Sequence, residues 1–251
     1  MEFRRKNNPL DFIGETTMVY EDNIVHWYDA ITTKLQKNKE LKSIVQTFYR
    51  NENYIAIVPL QEDSESLLSR LSFKDKYLPV TEKMTEKRKR EWLAIRVLLK
   101  ELTGEEKEIL YNSLGKPYLS DHSFHISISH TKGYAALIVN KENEVAIDIE
   151  NIASKSKVEN IRKKFLNEEE EKSFSQSDDQ IRLLLYWSAK ESLFKWLSVE
   201  NVDFKTHLHI RSFEPVLGEW SGFEACETRT KYQNCFKIKY FVHEDYVLTY
   251  I

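Results

Sequence analysis

The sequence predicts an α+β fold in which two similar halves each set a few short antiparallel strands against one long helix. Three observations carry this. Apolar residues recur at helical spacing over residues 85–102 (Trp92, Ile95, Leu99, Leu102) and over 179–197 (Ile181, Leu184, Leu185, Trp187). Phe124, Ile126 and Ile128 alternate with His125, Ser127 and Ser129, the period of a half-buried strand. Strands with one long helix occur once in each half, which hints at duplication. The polar stretch 140–144 is expected to join the halves, residues 1–141 and 142–251.

Composition narrows the function. Of 251 residues, 41% are hydrophobic and 31% charged, the balance of a soluble globular chain. The formal net charge of -3, without a long basic block, argues against nucleic acid as a partner. No stretch approaches the ~18 apolar residues of a membrane span. The basic start, Met1 to Lys6, has no apolar signal core behind it, so the expectation is a cytoplasmic protein without membrane contact. Cys226 and Cys235 lack metal-ligand spacing and are expected to be reduced, packed thiols.

In the first half, residues 17–30 are expected to hold a strand, 34–49 a partial helical stripe and 54–60 a short strand ended by Pro59. Asp63 or Ser64 caps a helix carrying Leu67, Leu68 and Leu71, and Pro79 is expected to interrupt the chain beyond it. Lys87-Arg88-Lys89-Arg90 opens the helix over 85–102, at the end where the macrodipole disfavours cations. This run is either a solvated face or the seat of an anionic partner. Gly104 ends the helix. Gly115-Lys116-Pro117 is a turn presenting Lys116. Ser129-His130 closes a strand just before the turn Thr131-Lys132-Gly133, a structural pair or one placed to meet a phosphate. Residues 134–139 supply the hairpin partner.

The second half opens on Val145-Ala146-Ile147-Asp148-Ile149-Glu150. In a strand, Asp148 and Glu150 share one side and Ile147 and Ile149 the other. Ser154 or Ser156 caps a helix with Val158, Ile161 and Phe165 on one face. Glu168 to Glu171 suits the first turn of the next helix. On the amphipathic helix over 179–197, Glu191 and Lys195 are four apart on the face that also carries Trp187. If strand and helix pack, three carboxylates and a lysine converge. Three carboxylates in one site repel unless a cation sits among them. Few hard oxygen ligands suit Mg²⁺, which completes its shell with water and substrate phosphate, and a lysine beside it suits developing phosphate charge. The plainer alternative is a surface ion pair and an exposed acidic strand. Strands are expected near 207–213, 220–228, 235–242 and 246–251. His207 and His209 alternate as zinc ligands can, but with no Cys or third His nearby they are taken as strand residues.

Gly115-Lys116-Pro117, Ile128-Ser129-His130-Thr131, the acidic strand, Phe165 with Glu169 four residues on, and Trp187-Ser188-Ala189-Lys190-Glu191-Ser192-Leu193-Phe194-Lys195 occur in this order. Over residues 90–196 the chain resembles the Sfp-type 4′-phosphopantetheinyl transferases, with Ala146 where that family usually has glycine. The resemblance implies two α+β halves related by a pseudo-twofold, with coenzyme A in the cleft between them. It implies transfer of the phosphopantetheine arm to a serine of an apo acyl or peptidyl carrier protein, releasing adenosine 3′,5′-bisphosphate. By match to the motifs, Asp148, Glu150 and Glu191 would hold Mg²⁺ and Lys195 would contact the phosphate under attack. Lys116, Ser129 and His130 would meet the coenzyme's phosphates, with Arg90 and Arg96 as further candidates. Glu191, directly or through a metal-bound water, would take the serine proton. Glu169 either shapes the site or starts a helix. The alternatives are a non-catalytic coenzyme A or carrier-protein binder of the same fold, and an unrelated Mg²⁺-dependent phosphohydrolase.

Overall fold

Two long helices lie on the outside of two sheets that face each other. The computed structural model describes residues 46–50, 52–174 and 180–251. The strand expected over 17–30 and most of the stripe over 34–49 lie outside them. Where that stripe enters the described residues it is a strand, β1 (Gln46–Arg50), not a helix. It pairs antiparallel with β2 (Asn53–Pro59) and lays Phe48 against Trp220 and Phe241, so tertiary pairing overrides the local period.

Two short helices come next, α1 (Ser64–Ser69) and α2 (Lys74–Thr81). Asp63 caps α1 by accepting from the Ser66 amide. Pro79 lies inside α2 instead of interrupting it, in a helix too short for one missing N–H to matter much. The long helix α3 (Glu86–Thr103) is capped by the Thr85 side chain and ended by Gly104 at φ +80°. A hairpin, β3 (Ile109–Tyr111) and β4 (Pro117–Leu119), turns at Gly115, and Asn112 Oδ1 accepts there from the Leu114 and Lys116 amides.

β5 (His125–Thr131) and β6 (Tyr134–Asn140) complete a four-stranded sheet of order β1-β2-β6-β5. β7 (Ile147–Asn151) is the edge of a second sheet that ends the chain. Between lie α4 (Lys155–Phe165), α5 (Glu168–Ser173), α6 (Gln180–Leu197) and the short α7 (Phe204–His207). The remaining strands are β8 (Leu208–Ile210), β9 (Ser221–Glu227), β10 (Cys235–Val242) and β11 (Tyr246–Tyr250), in the order β7-β11-β10-β9-β8. His207 therefore ends a helix, and of the two histidines only His209 stands in a strand.

Ile55, Ile57, Ala136 and Ile138 of the first sheet meet Ile147, Ile149, Leu248 and Tyr250 of the second in one core. α3 covers the outer face of the first sheet on β2 and β6, and α6 covers the second on β7 and β11. This mixed helix and antiparallel-sheet architecture is an α+β fold. α6 is not the amphipathic helix its spacing suggests. Leu183, Leu184, Leu185, Tyr186, Ser188, Ala189, Lys190, Ser192 and Leu193 are all buried, because α4, α5 and α7 cover the side away from the sheet.

The cysteines correct the expectation of free thiols. Cys226 and Cys235 stand opposite each other on β9 and β10 and form a disulfide with a Cα–Cα distance of 4.0 Å. The Glu227 amide donates to the Asn234 carbonyl beside them, so the pair occupies the closely spaced position between ladder bonds, where side chains touch. The bond closes a sequence separation of 9. Cys226→Ser should therefore cost about 2–3 kcal/mol by loop-closure entropy. Urea unfolding of wild type and variant, each with and without reductant, checks this, and equal midpoints would contradict it.

Candidate active site

The site forms where the edges of the two sheets meet. β5 and β7 run side by side in the same direction, and alternate hydroxyls of β5 take the place of a ladder. Ser127 Oγ accepts from the Ile147 amide (3.1 Å), Ser129 Oγ from Ile149 (3.3 Å) and Thr131 Oγ1 from Asn151 (3.0 Å). The two-residue period of β5 thus satisfies the amides of an edge strand that would otherwise be unpaired.

Ser129 does more. Its hydroxyl donates to Asp148 Oδ1 at 2.9 Å and accepts from Lys195 Nζ at 3.0 Å. Lys195 also donates to Asp148 Oδ1 (2.7 Å) and to the Ile147 carbonyl (3.0 Å). Three acceptors on two strands therefore fix one ammonium. Two helical turns back, Trp187 Nε1 donates to Glu150 Oε1 at 2.9 Å. Glu191 lies midway between these two contacts on the same helix face.

The acids outnumber their counter-charge, the single Lys195. Burial, and next the charge of Asp148, push Glu150 up to about 7. The same two causes push Glu191 up to about 7. Asp148 Oδ2 is buried without a hydrogen-bond partner. One lysine faces three carboxyls, and an orphaned carboxylate oxygen among oxygen donors is the chemistry a hard divalent cation satisfies. The set is more open than a closed cage. Among the described residues, the three ligand atoms within 4.8 Å of one another belong to Glu224, Cys226 and Cys235, where the two sulfurs already bond each other.

His130 stands at the end of β5 under the first turns of α3. Its Nε2 lies 3.4 Å from Glu91 Oε2 and 3.4 Å from Arg88 Nη1. Arg88 and Lys87 both pair with Glu91, at 3.3 and 3.7 Å. Burial lowers the His130 pKa, Glu91 opposes that, and Arg88, Lys195 and Lys87 add to it.

The α3 arginines singled out by sequence lie elsewhere. Arg90 Nη1 donates to the Leu60 carbonyl at 3.4 Å. Arg96 is buried, with its guanidinium 3.0 Å from the centre of the Trp92 ring and its Nη1 on the Trp92 carbonyl. Burial lowers its pKa to about 10. Arg88, from the basic run that opens α3, is the arginine that reaches His130. Lys116 pairs with Glu144 at 2.6 Å, and Glu144 also meets His125 at 3.2 Å. His125 begins the strand that His130 nearly ends, about 16 Å away at ~3.3 Å per residue. Lys116 is thus held at the opposite end of β5.

Two further residues build the site from behind. Glu169 is exposed, whereas Glu170 is buried. Glu170 Oε2 accepts from Lys190 Nζ at 2.6 Å, and its Oε1 accepts from the Ile210 amide. Lys190 is fully buried and also donates to the Phe165 and Phe204 carbonyls. The residue before Glu191 therefore locks α6 to α4, α5, α7 and β8. The cue was present in Asn167-x-x-Glu170, a capping box that turns Glu170 inward.

No curated protein sequence matches the chain. Residues 144–251 match the profile of the 4′-phosphopantetheinyl transferase superfamily, whose chemistry moves phosphopantetheine from coenzyme A to carrier proteins. The matched stretch holds Asp148, Glu150, Glu170, Lys190, Glu191 and Lys195, while Lys116, Ser129 and His130 precede it. Among the described residues no helix is long and apolar enough to cross a membrane. The segment that brings its acids and one lysine to the meeting edge of two sheets, residues 144–251, is therefore the part of the chain that is similar to the 4′-phosphopantetheinyl transferase superfamily.

Proposed function

We propose that the protein is a Mg²⁺-dependent phosphopantetheinyl transferase of the holo-[acyl-carrier-protein] synthase type, acting in the cytoplasm on an apo acyl or peptidyl carrier protein. The observation that carries this is the Lys195 ammonium held between Ser129, Asp148 and the Ile147 carbonyl, beside two carboxyls pushed up to about 7. Residues 1–141 and 142–251 act as the two halves of the site.

Asp148, Glu150 and Glu191 would hold Mg²⁺, which when bound neutralises pyrophosphate charge and polarises the phosphoryl oxygen. His130 and Ser129 bind coenzyme phosphates, and Lys116 reaches the same ligand from the far end of β5. The carrier's serine oxygen bonds to the phosphorus bearing the pantetheine arm. The bridging P–O bond breaks, and adenosine 3′,5′-bisphosphate leaves. Glu191 takes the serine proton, directly or through a water. Lys195 meets the charge that builds on the phosphoryl oxygens. Lys195→Ala should therefore lower kcat about 10²–10³-fold with a smaller change in KM for coenzyme A. Steady-state kinetics check this, and an unchanged kcat with raised KM would contradict it.

The raised acids also set a pH dependence. Glu150 and Glu191 hold protons in the folded state between about 4.5 and 7 that the unfolded chain has released. Their contribution to stability therefore falls as pH rises through that window. A cation that replaces those protons restores it. Mg²⁺ should raise Tm more at pH 8 than at pH 5.5, and an equal shift at both would contradict this. The reading as a transferase is tested by adenosine 3′,5′-bisphosphate release from coenzyme A with and without a carrier. Release should require the carrier's serine, and equal release without carrier would point to a hydrolase.

A further inference from the structure

We propose that Glu91 is the positioning residue for His130: its carboxylate holds the Nε2 side of the imidazole and leaves Nδ1 to meet a phosphate of the bound ligand. This rests on the coenzyme reading only for the identity of that phosphate. Glu91 is 5% exposed, while Arg88 and Lys87, its helix neighbours one turn back, are 48% and 71% exposed. A carboxylate is costly to bury without partners. Glu91 Oε1 is nevertheless buried with no hydrogen bond, and its remaining contacts are Lys87, Arg88 and His130. Among the described residues its ion pairs are with Lys87 and Arg88 of its own helix and with His130 at the end of β5.

The two nitrogens of an imidazole divide their work according to what the first one binds. Arg88 Nη1 lies as close to Nε2 as Glu91 does, so the carboxylate is what opposes the burial and the cations that lower the imidazole's pKa, and it favours a proton on the ring when Nδ1–H meets a phosphate. The charges facing His130 are Lys87, Arg88 and Glu91 from α3 and Lys195 from α6. From β7, Asp148 and Glu150 are held by the flanking Ser129 and Thr131. β6 places Ala135 opposite His130 and Tyr134 opposite Thr131. Among the three cations on α3 and α6, Glu91 is the group that opposes them at the Nε2 edge.

The test uses the full chain and Glu91→Gln, which keeps the shape and removes the charge. NMR titration of His130, assigned by its loss in His130→Gln, should show the imidazole titrating about one unit lower in Glu91→Gln. Calorimetric binding of adenosine 3′,5′-bisphosphate should weaken about tenfold at pH 7 and converge with wild type below both imidazole pKa values. In the His130→Gln background, Glu91→Gln should have no such pH-dependent effect. An unmoved His130 titration, or Glu91→Gln binding the nucleotide more tightly at all pH values, overturns the proposal. A shifted titration in a protein that binds no nucleotide supports Glu91 as the holder of His130 and overturns the coenzyme reading instead.

Discussion

Asp148→Ala should lower transfer by about 10³-fold or more while the protein stays folded. The magnitude reflects how much converges on one side chain. Oδ1 takes hydrogen bonds from Ser129 and Lys195, and Oδ2 is the orphaned oxygen that fits a cation. Removing the carboxylate frees Lys195 from one of three anchors and strips Ser129 of its acceptor. It also removes one of three acids that would hold Mg²⁺. Single groups aimed at developing charge are each worth about 10²–10³ in rate, and here two such effects are lost together. Asp148→Asn keeps the shape and should fall nearly as far, because the charge is what the site needs. Glu191→Ala should behave alike. Single-turnover rates with circular dichroism as the folding control check all three, and wild-type-like turnover in any of them would contradict the metal-site assignment.

The largest stability effect is expected from the pair behind the site. Glu170→Ala should destabilise the protein by about 3–5 kcal/mol, the cost of leaving a buried charge without its partner. Lys190 would keep the Phe165 and Phe204 carbonyls but lose the carboxylate it is bonded to, and the Ile210 amide would lose its acceptor. A typical domain has about 5–15 kcal/mol in total, so this loss is severe. Replacing both partners by apolar residues of similar volume should recover much of it. Urea midpoints for Glu170→Ala and for Glu170→Leu with Lys190→Met measure the difference. A Glu170→Ala midpoint equal to wild type would contradict the pairing.

Much of the site was legible because it obeys two periods. Asp148 and Glu150 share a strand face at spacing two, and Trp187, Glu191 and Lys195 share a helix face at spacing four. What was illegible depends on which elements touch. The hydroxyls of Ser127, Ser129 and Thr131 serve backbone amides of a strand some twenty residues on, in another sheet, and no local pattern announces that. Lys190 and Lys195 look alike in sequence, yet one is sealed behind α6 and the other faces the acids. Arg96 shares the helix face of Trp92, four residues before it, and stacks there instead of reaching a phosphate. Cys226 and Cys235 became partners through the register of β9 and β10, which composition does not contain.

The measurement that bears most directly on the central claim is the intact mass of an apo carrier protein after incubation with this protein, coenzyme A and Mg²⁺. A mass gain of one phosphopantetheine arm, abolished by a chelator and by a serine-to-alanine carrier, is the result expected. No gain on acyl or peptidyl carriers, with coenzyme A bound and Asp148 and Lys195 intact, would contradict a transferase and leave a coenzyme-binding protein in its place.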